Sequence, residues 1–133
     1  MRVFLDTNVL VSAFAARGLC ADLLELVLLE HEFVIGRQVL DELNKALTAK
    51  LKLPAGQAKA IVDFVSGEAA QVIDQTEPAR VRADPADARV LGEALAAKAA
   101  VFVTGDAALI GLRAIENLKI VSPRGFWEKI RKA

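Results

Sequence analysis

Arg2-Val3-Phe4-Leu5-Asp6-Thr7-Asn8 decides how the rest of the chain is read. Residues 2–5 are a short apolar run, and Asp6-Thr7-Asn8 are residues that open helices, so the stretch reads as a strand running into a helix start. The same alternation recurs outward from it. Residues 19–29 are apolar at helical spacing, and residues 32–35 form a second short strand closed by Gly36. Residues 38–51 are an amphipathic helix stopped near Pro54, and residues 55–65 another, ended by Gly67. Residues 70–73 make a third strand, followed by a loop over 74–83 that holds Pro78. Asp84-Pro85 then supplies an N-cap and a first helical residue for a helix reaching about Ala97. Residues 100–103 are a fourth strand, ended by Thr104-Gly105-Asp106 and a short helix. Residues 118–121 are a fifth, and Pro123 opens a last helix with Phe126, Trp127 and Ile130 at core spacing.

Short apolar strands alternating with helices predict a parallel sheet covered on both faces, a three-layer α/β/α sandwich with about five strands. The 133 residues fit one domain, 1–133, large enough to bury a core without disulfides or metal staples. Apolar residues make up 54% of the chain and mean hydropathy is +0.36, much of it alanine in helical stretches. The longest apolar run, residues 94–103, is interrupted by Lys98. A spanning helix needs roughly 20 apolar residues, so no membrane segment is expected. Asp6 and Asn8 likewise interrupt what would be the apolar core of a secretion signal. The single cysteine, Cys20, has no internal disulfide partner, and the expected compartment is the cytoplasm.

Seventeen basic and seventeen acidic residues cancel, which argues against a long duplex held by charge alone. The charge is unevenly placed. Lys45, Lys50, Lys52 and Lys59 fall in a stretch with no acid, and the tail carries Lys119, Arg124, Lys129, Arg131 and Lys132 against Glu128. Such blocks are ordinarily solvated faces; the functional alternative is a basic rim around an acidic pocket.

The acids suggest that pocket. Right-handed crossovers place helix starts near the carboxyl edge of a parallel sheet, and ligands bind there where the strand order reverses. Asp6 ends the first strand, and Asp106 follows the fourth. Asp87 lies in the first turn of the helix after the third strand, and Glu42 about a turn and a half into the helix after the second. At about 100° per residue, Val39, Leu43, Ala46, Leu47 and Lys50 cluster within roughly 80° of one another as one stripe. Glu42 falls on its flank and Asp41 on the far side, facing water. Converging carboxylates disfavour joint ionisation, and a divalent cation resolves the conflict. Oxygen-only ligands suit Mg²⁺ or Mn²⁺, which can activate water against a phosphodiester. The only histidine, His31, stands apart from these residues, and the chain has no P-loop or Gly-x-Gly-x-x-Gly motif. Each acid also has a plain structural alternative. Asp6, Asp84 and Asp106 can cap helices, Asp87 can complete a capping box, and Glu42 can be a solvated helix residue.

Val3-Phe4-Leu5-Asp6-Thr7-Asn8-Val9-Leu10 resembles the opening strand and first acid of PIN domains. Asp87 with Val90, Leu91 and Ala94 resembles that family's third-acid helix, and Val103-Thr104-Gly105-Asp106 its fourth-acid segment. Leu40-Asp41-Glu42-Leu43 fits the second-acid helix, and Ile120-Val121-Ser122-Pro123 with Phe126-Trp127 is similar to the closing strand and helix. The resemblance implies a five-stranded parallel sheet and a Mg²⁺- or Mn²⁺-dependent ribonuclease directed at single-stranded RNA. Asp6, Asp87 and Asp106 would hold the metal, Glu42 would complete the catalytic set, and Asn8, Ser12 and Thr104 would support it. The compact form is similar to toxins of bacterial toxin–antitoxin modules, which implies a homodimer and a cognate antitoxin. Two alternatives stay open. One is a phosphoacceptor receiver-like domain, although the first strand ends in one acid rather than two and Ser122 stands where a lysine is wanted. The other is a catalytically inactive PIN-like binding module.

Overall fold

The computed structural model describes residues 1–131. Lys132 of the basic tail and the last residue of the 1–133 domain lie outside the described residues. Strand β1 (Arg2–Leu5) is followed by α1 (Thr7–Ala15) and α2 (Leu19–Glu30), then β2 (Glu32–Gly36), α3 (Arg37–Ala49) and α4 (Ala55–Glu68). The chain continues through β3 (Gln71–Ile73), α5 (Pro85–Ala96), β4 (Val101–Val103), α6 (Ala107–Ile110), β5 (Ala114–Ile115), β6 (Leu118–Val121) and α7 (Pro123–Arg131).

The strands form one sheet in the order β3-β2-β1-β4-β6-β5. All neighbours run parallel except β5, which pairs antiparallel with β6. The α/β/α class is as expected, with one edge strand more than the five foreseen. Ala114-Ile115 is too short to carry a period-2 signal, and only its pairing with Lys119 and Leu118 makes it a strand. A second difference is that α4 runs through Gly67 to Glu68. Gly67 does not take the left-handed conformation that ends helices; among the described residues Gly18 is the one glycine with positive φ.

β1 lies at the centre because Val3, Phe4 and Leu5 can be buried on both faces, and all three are fully buried. Phe4 stacks on Phe102 of β4 with ring centroids 5.5 Å apart. The chain lays β2 and β3 on one side of β1, then crosses to place β4 on the other. The order therefore reverses between β1 and β4, the place where parallel α/β sheets open a crevice. Leu5 pairs with Val103, so Asp6 and Thr104 leave adjacent strands side by side.

Candidate active site

Asp6 is buried at the end of β1. Its Oδ1 accepts from the Thr7 backbone N–H at 2.8 Å, which caps α1. Its Oδ2 accepts from the Thr104 hydroxyl at 2.8 Å and the Asn8 amide at 3.2 Å. Thr104 is fully buried; its Oγ1 also accepts from the Asp106 N–H at 3.0 Å and the Asn8 amide at 3.3 Å. Asn8 Oδ1 in turn accepts from the Gly105 N–H at 2.8 Å. Asn8 and Thr104 thus tie the end of β1 to the end of β4. Ser12 lines the cavity without joining this hydrogen-bond network.

Asp106 Oδ1 accepts from the Ala108 N–H at 2.8 Å and caps α6. Asp84 caps α5 by accepting from the Asp87 N–H at 2.9 Å. The capping reading therefore holds for Asp6, Asp84 and Asp106. It does not exclude convergence, because a cap uses one lone pair of a carboxylate that has about four. Asp84 does not line the central cavity and acts on it only through Asp87.

Glu42 is held at both oxygens. Thr7 Oγ1 donates to Oε1 at 2.6 Å, and Gln38 Nε2 donates to Oε2 at 2.9 Å. Arg89 Nε of α5 donates to Gln38 Oε1 at 3.3 Å. Asp41, its neighbour, is exposed, as the helical wheel requires. Thr7 and Gln38 were not anticipated as site residues. Gln38 lies four residues before Glu42 on the same helix face, a signal present in the sequence. The contact of Thr7 with α3 depends on how α1 packs against it.

Asp6, Glu42, Asp87 and Asp106 line one cavity of about 570 Å³. No described lysine or arginine is ion-paired with any of them. The electrostatics follow. Burial pushes the Asp6 carboxyl above the ordinary carboxylate range; the Thr104 and Thr7 hydrogen bonds work against the rise, and Glu42 and Asp106 add to it. Asp87 is pushed up to about 6 by burial, by Asp84 and its hydrogen bond, and by Asp6 and Asp106. Asp84 is held below the usual range, chiefly by the Asp87 N–H.

Among the described residues, no three His, Cys, Asp or Glu side chains stand close enough together to hold one ion between them. The acids share a cavity rather than a closed cage. That donor set fits hydrated Mg²⁺, which keeps several waters and takes one or two carboxylates plus phosphate oxygens. It does not fit a structural zinc site, which wants thiolate or imidazole in a closed tetrahedron.

A family model described as PIN domain matches residues 2–108. Two solved structures are similar over almost the whole chain. One is the VapBC2 crystal structure from Rickettsia felis bound to a DNA fragment from their promoter. It is 20% identical, covers 92% of this chain and 98% of that one, and has a TM-score of 0.67. The other is VapBC-1 from nontypeable Haemophilus influenzae, at 16% identity, 93% and 99% coverage and a TM-score of 0.67. No curated protein sequence matches.

Proposed function

This chain belongs to the PIN domain family, and on that premise we propose that it is a metal-dependent endoribonuclease of single-stranded RNA, the toxin of a toxin–antitoxin pair. The observation that carries the reading is the cavity at the strand-order reversal. Four carboxylates from four separate segments line it, and no described cation pairs with them. A merely structural role leaves that convergence without a cause. Burial, with the neighbouring acids adding to it, raises the carboxyls of Asp6 and Asp87 above the ordinary carboxylate range.

In this reading Asp6, Asp87 and Asp106 would face a hydrated Mg²⁺ or Mn²⁺, one or two of them by direct contact and the rest through its waters. The bound ion supplies Lewis-acid stabilisation of the phosphoryl group and a stronger water-derived nucleophile. Asp6 is fixed by three hydrogen bonds and so presents its remaining lone pairs in one direction. Glu42 keeps one lone pair on each oxygen after binding Thr7 and Gln38. It orients the attacking water and accepts its proton as the phosphorus–oxygen bond forms. The leaving oxygen departs as the opposite phosphorus–oxygen bond breaks, and takes up a proton from solvent. Thr104 and Asn8 keep Asp6 and Asp106 in register across the two strands.

The two solved relatives are named VapBC, which agrees with a cognate antitoxin as partner. We read the active form as a cytoplasmic homodimer. No described helix is long and apolar enough to cross a membrane. The purified protein should cleave single-stranded RNA with Mg²⁺ or Mn²⁺ and stop with EDTA. Asp6→Asn should abolish cleavage and leave the circular dichroism spectrum unchanged. Cleavage that survives both EDTA and Asp6→Asn contradicts the mechanism. Light scattering should show a dimer at micromolar concentration, and a persistent monomer contradicts that part.

A further inference from the structure

Helix α3 brings more than Glu42 to the cavity. Lys45, Ala46, Ala49 and Lys50 line it too, together with Val11 of α1. Positions 42, 45, 46 and 49 follow the three-and-four spacing of one helix stripe, and Lys50 is the residue at the C-cap. Both lysines are exposed, and neither is ion-paired among the described residues. The other lysines of this acid-free stretch differ. Lys59 is paired with Asp63 at 2.6 Å, and Lys52 lies off the cavity. A solvated face needs no such selection. A groove that must hold a polyanion beside four carboxylates does need uncompensated cations within it.

We propose that Lys45 and Lys50 form a phosphate track that leads single-stranded RNA along α3 away from the acids; this rests on the ribonuclease reading above. The helix sets the register. At 1.5 Å per residue, Lys45 lies about 4.5 Å and Lys50 about 12 Å along the axis from Glu42. Stacked nucleotides rise about 3.4 Å each, so Lys50 stands some three to four nucleotides from the reacting phosphate, and Lys45 about one. Between the lysines, Ala46, Ala49 and Val11 are small and apolar, which leaves room for sugars and bases without competing hydrogen bonds. The carboxyl end of a helix repels phosphate by its dipole. Lys50 at the C-cap reverses the sign of the field there.

The test is steady-state cleavage of a single-stranded decanucleotide and of a trinucleotide by the parent, Lys45→Gln and Lys50→Gln, over a range of salt. On the decanucleotide each variant should raise KM at least about fivefold with kcat within about twofold. The slope of log(1/KM) against log salt should fall by about 0.7 per lysine removed. Lys50→Arg should restore the parent KM. On the trinucleotide, whose one additional phosphate reaches Lys45 but not Lys50, Lys45→Gln should still raise KM, whereas Lys50→Gln should match the parent. Unchanged KM and salt slope in both variants, or a loss confined to kcat, overturns the track while leaving the nuclease in place. Variants that cleave RNA normally but bind an acidic antitoxin less tightly overturn it as well, and assign the lysines to the protein partner. A parent that cleaves no RNA under any metal overturns both the track and the reading beneath it.

Discussion

Glu42 is the carboxylate that α3 brings to the cavity. Its position on the flank of the apolar stripe of α3 was legible from helical periodicity, as was the exposure of Asp41 beside it. What holds it was legible only in part: Gln38 shares its face of α3, whereas Thr7 reaches α3 from another helix. Glu42→Gln should lower the cleavage rate at least about tenfold, equivalent to about 1.4 kcal/mol of transition-state stabilisation. Asp41→Asn should leave it within about twofold. Equal losses measured for the two variants would mean that the wrong face of α3 is in use. Gln38→Ala frees one Glu42 oxygen and disconnects Arg89. It should lower kcat severalfold with KM little changed, since Gln38 orients the carboxylate and does not line the cavity; a pure KM effect contradicts this.

At the scale of elements, the join between α5 and the start of α3 positions the whole α3 face. Gly36 is the N-cap of α3 and offers no capping side chain. Glu93 of α5 takes that place: its Oε2 accepts from the Gln38 N–H at 2.8 Å. A Cβ on Gly36 would stand 2.0 Å from Glu93 Cδ, so the glycine and the carboxylate require one another. Gly36→Ala should destabilise the protein by roughly 1–3 kcal/mol, and much less in a Glu93→Ala background. Additive losses in denaturant melts contradict the pairing. Glu93 is buried, its Oε1 has no hydrogen-bond partner, and its carboxyl is pushed up to about 7. Burial is the main cause; the N–H groups of Gln38 and Val39 oppose it, and Glu42 and Asp41 add to it. A carboxyl raised in the folded state keeps its proton there longer than in the unfolded chain. Its contribution is complete below the ordinary value of 4.5 and is lost as pH rises through about 7. Stability should therefore fall between those pH values. Glu93→Gln should melt higher than the parent at pH 8 and lose that advantage by pH 5; a pH-independent difference contradicts it. The sequence marked α5 by its Asp84-Pro85 start but gave no sign of this cap. A lone glutamate among Val90, Leu91 and Ala94 acquires meaning only when β2 ends beneath it.

For the whole molecule, alternation of strand and helix was enough to place Asp6, Glu42, Asp87 and Asp106 at one edge, because parallel crossovers leave few ways to arrange them. The two-residue β5 and the extension of α4 through Gly67 were not readable, since both depend on neighbours far along the chain. The convergence of the acids as a metal site is the central claim, and it is tested without knowing the RNA. Asp6 is a poor probe, because the hydrogen bonds its carboxylate accepts would be weakened along with its charge. Asp87 caps nothing, and its carboxyl is raised to about 6. Like Glu93, it contributes fully below its ordinary value of 3.8 and loses that contribution as pH rises through about 6, so at pH 8 its charge is present in full. The decisive measurement is the melting temperature at pH 8 of the parent and Asp87→Asn, each in EDTA and in Mn²⁺. The parent should gain about 2.7 kcal/mol of stability at Mn²⁺ 100-fold above its Kd. Asp87→Asn should melt above the parent in EDTA and gain much less from Mn²⁺. A parent indifferent to Mn²⁺, with Asp87→Asn no more stable than it in EDTA, would contradict the account.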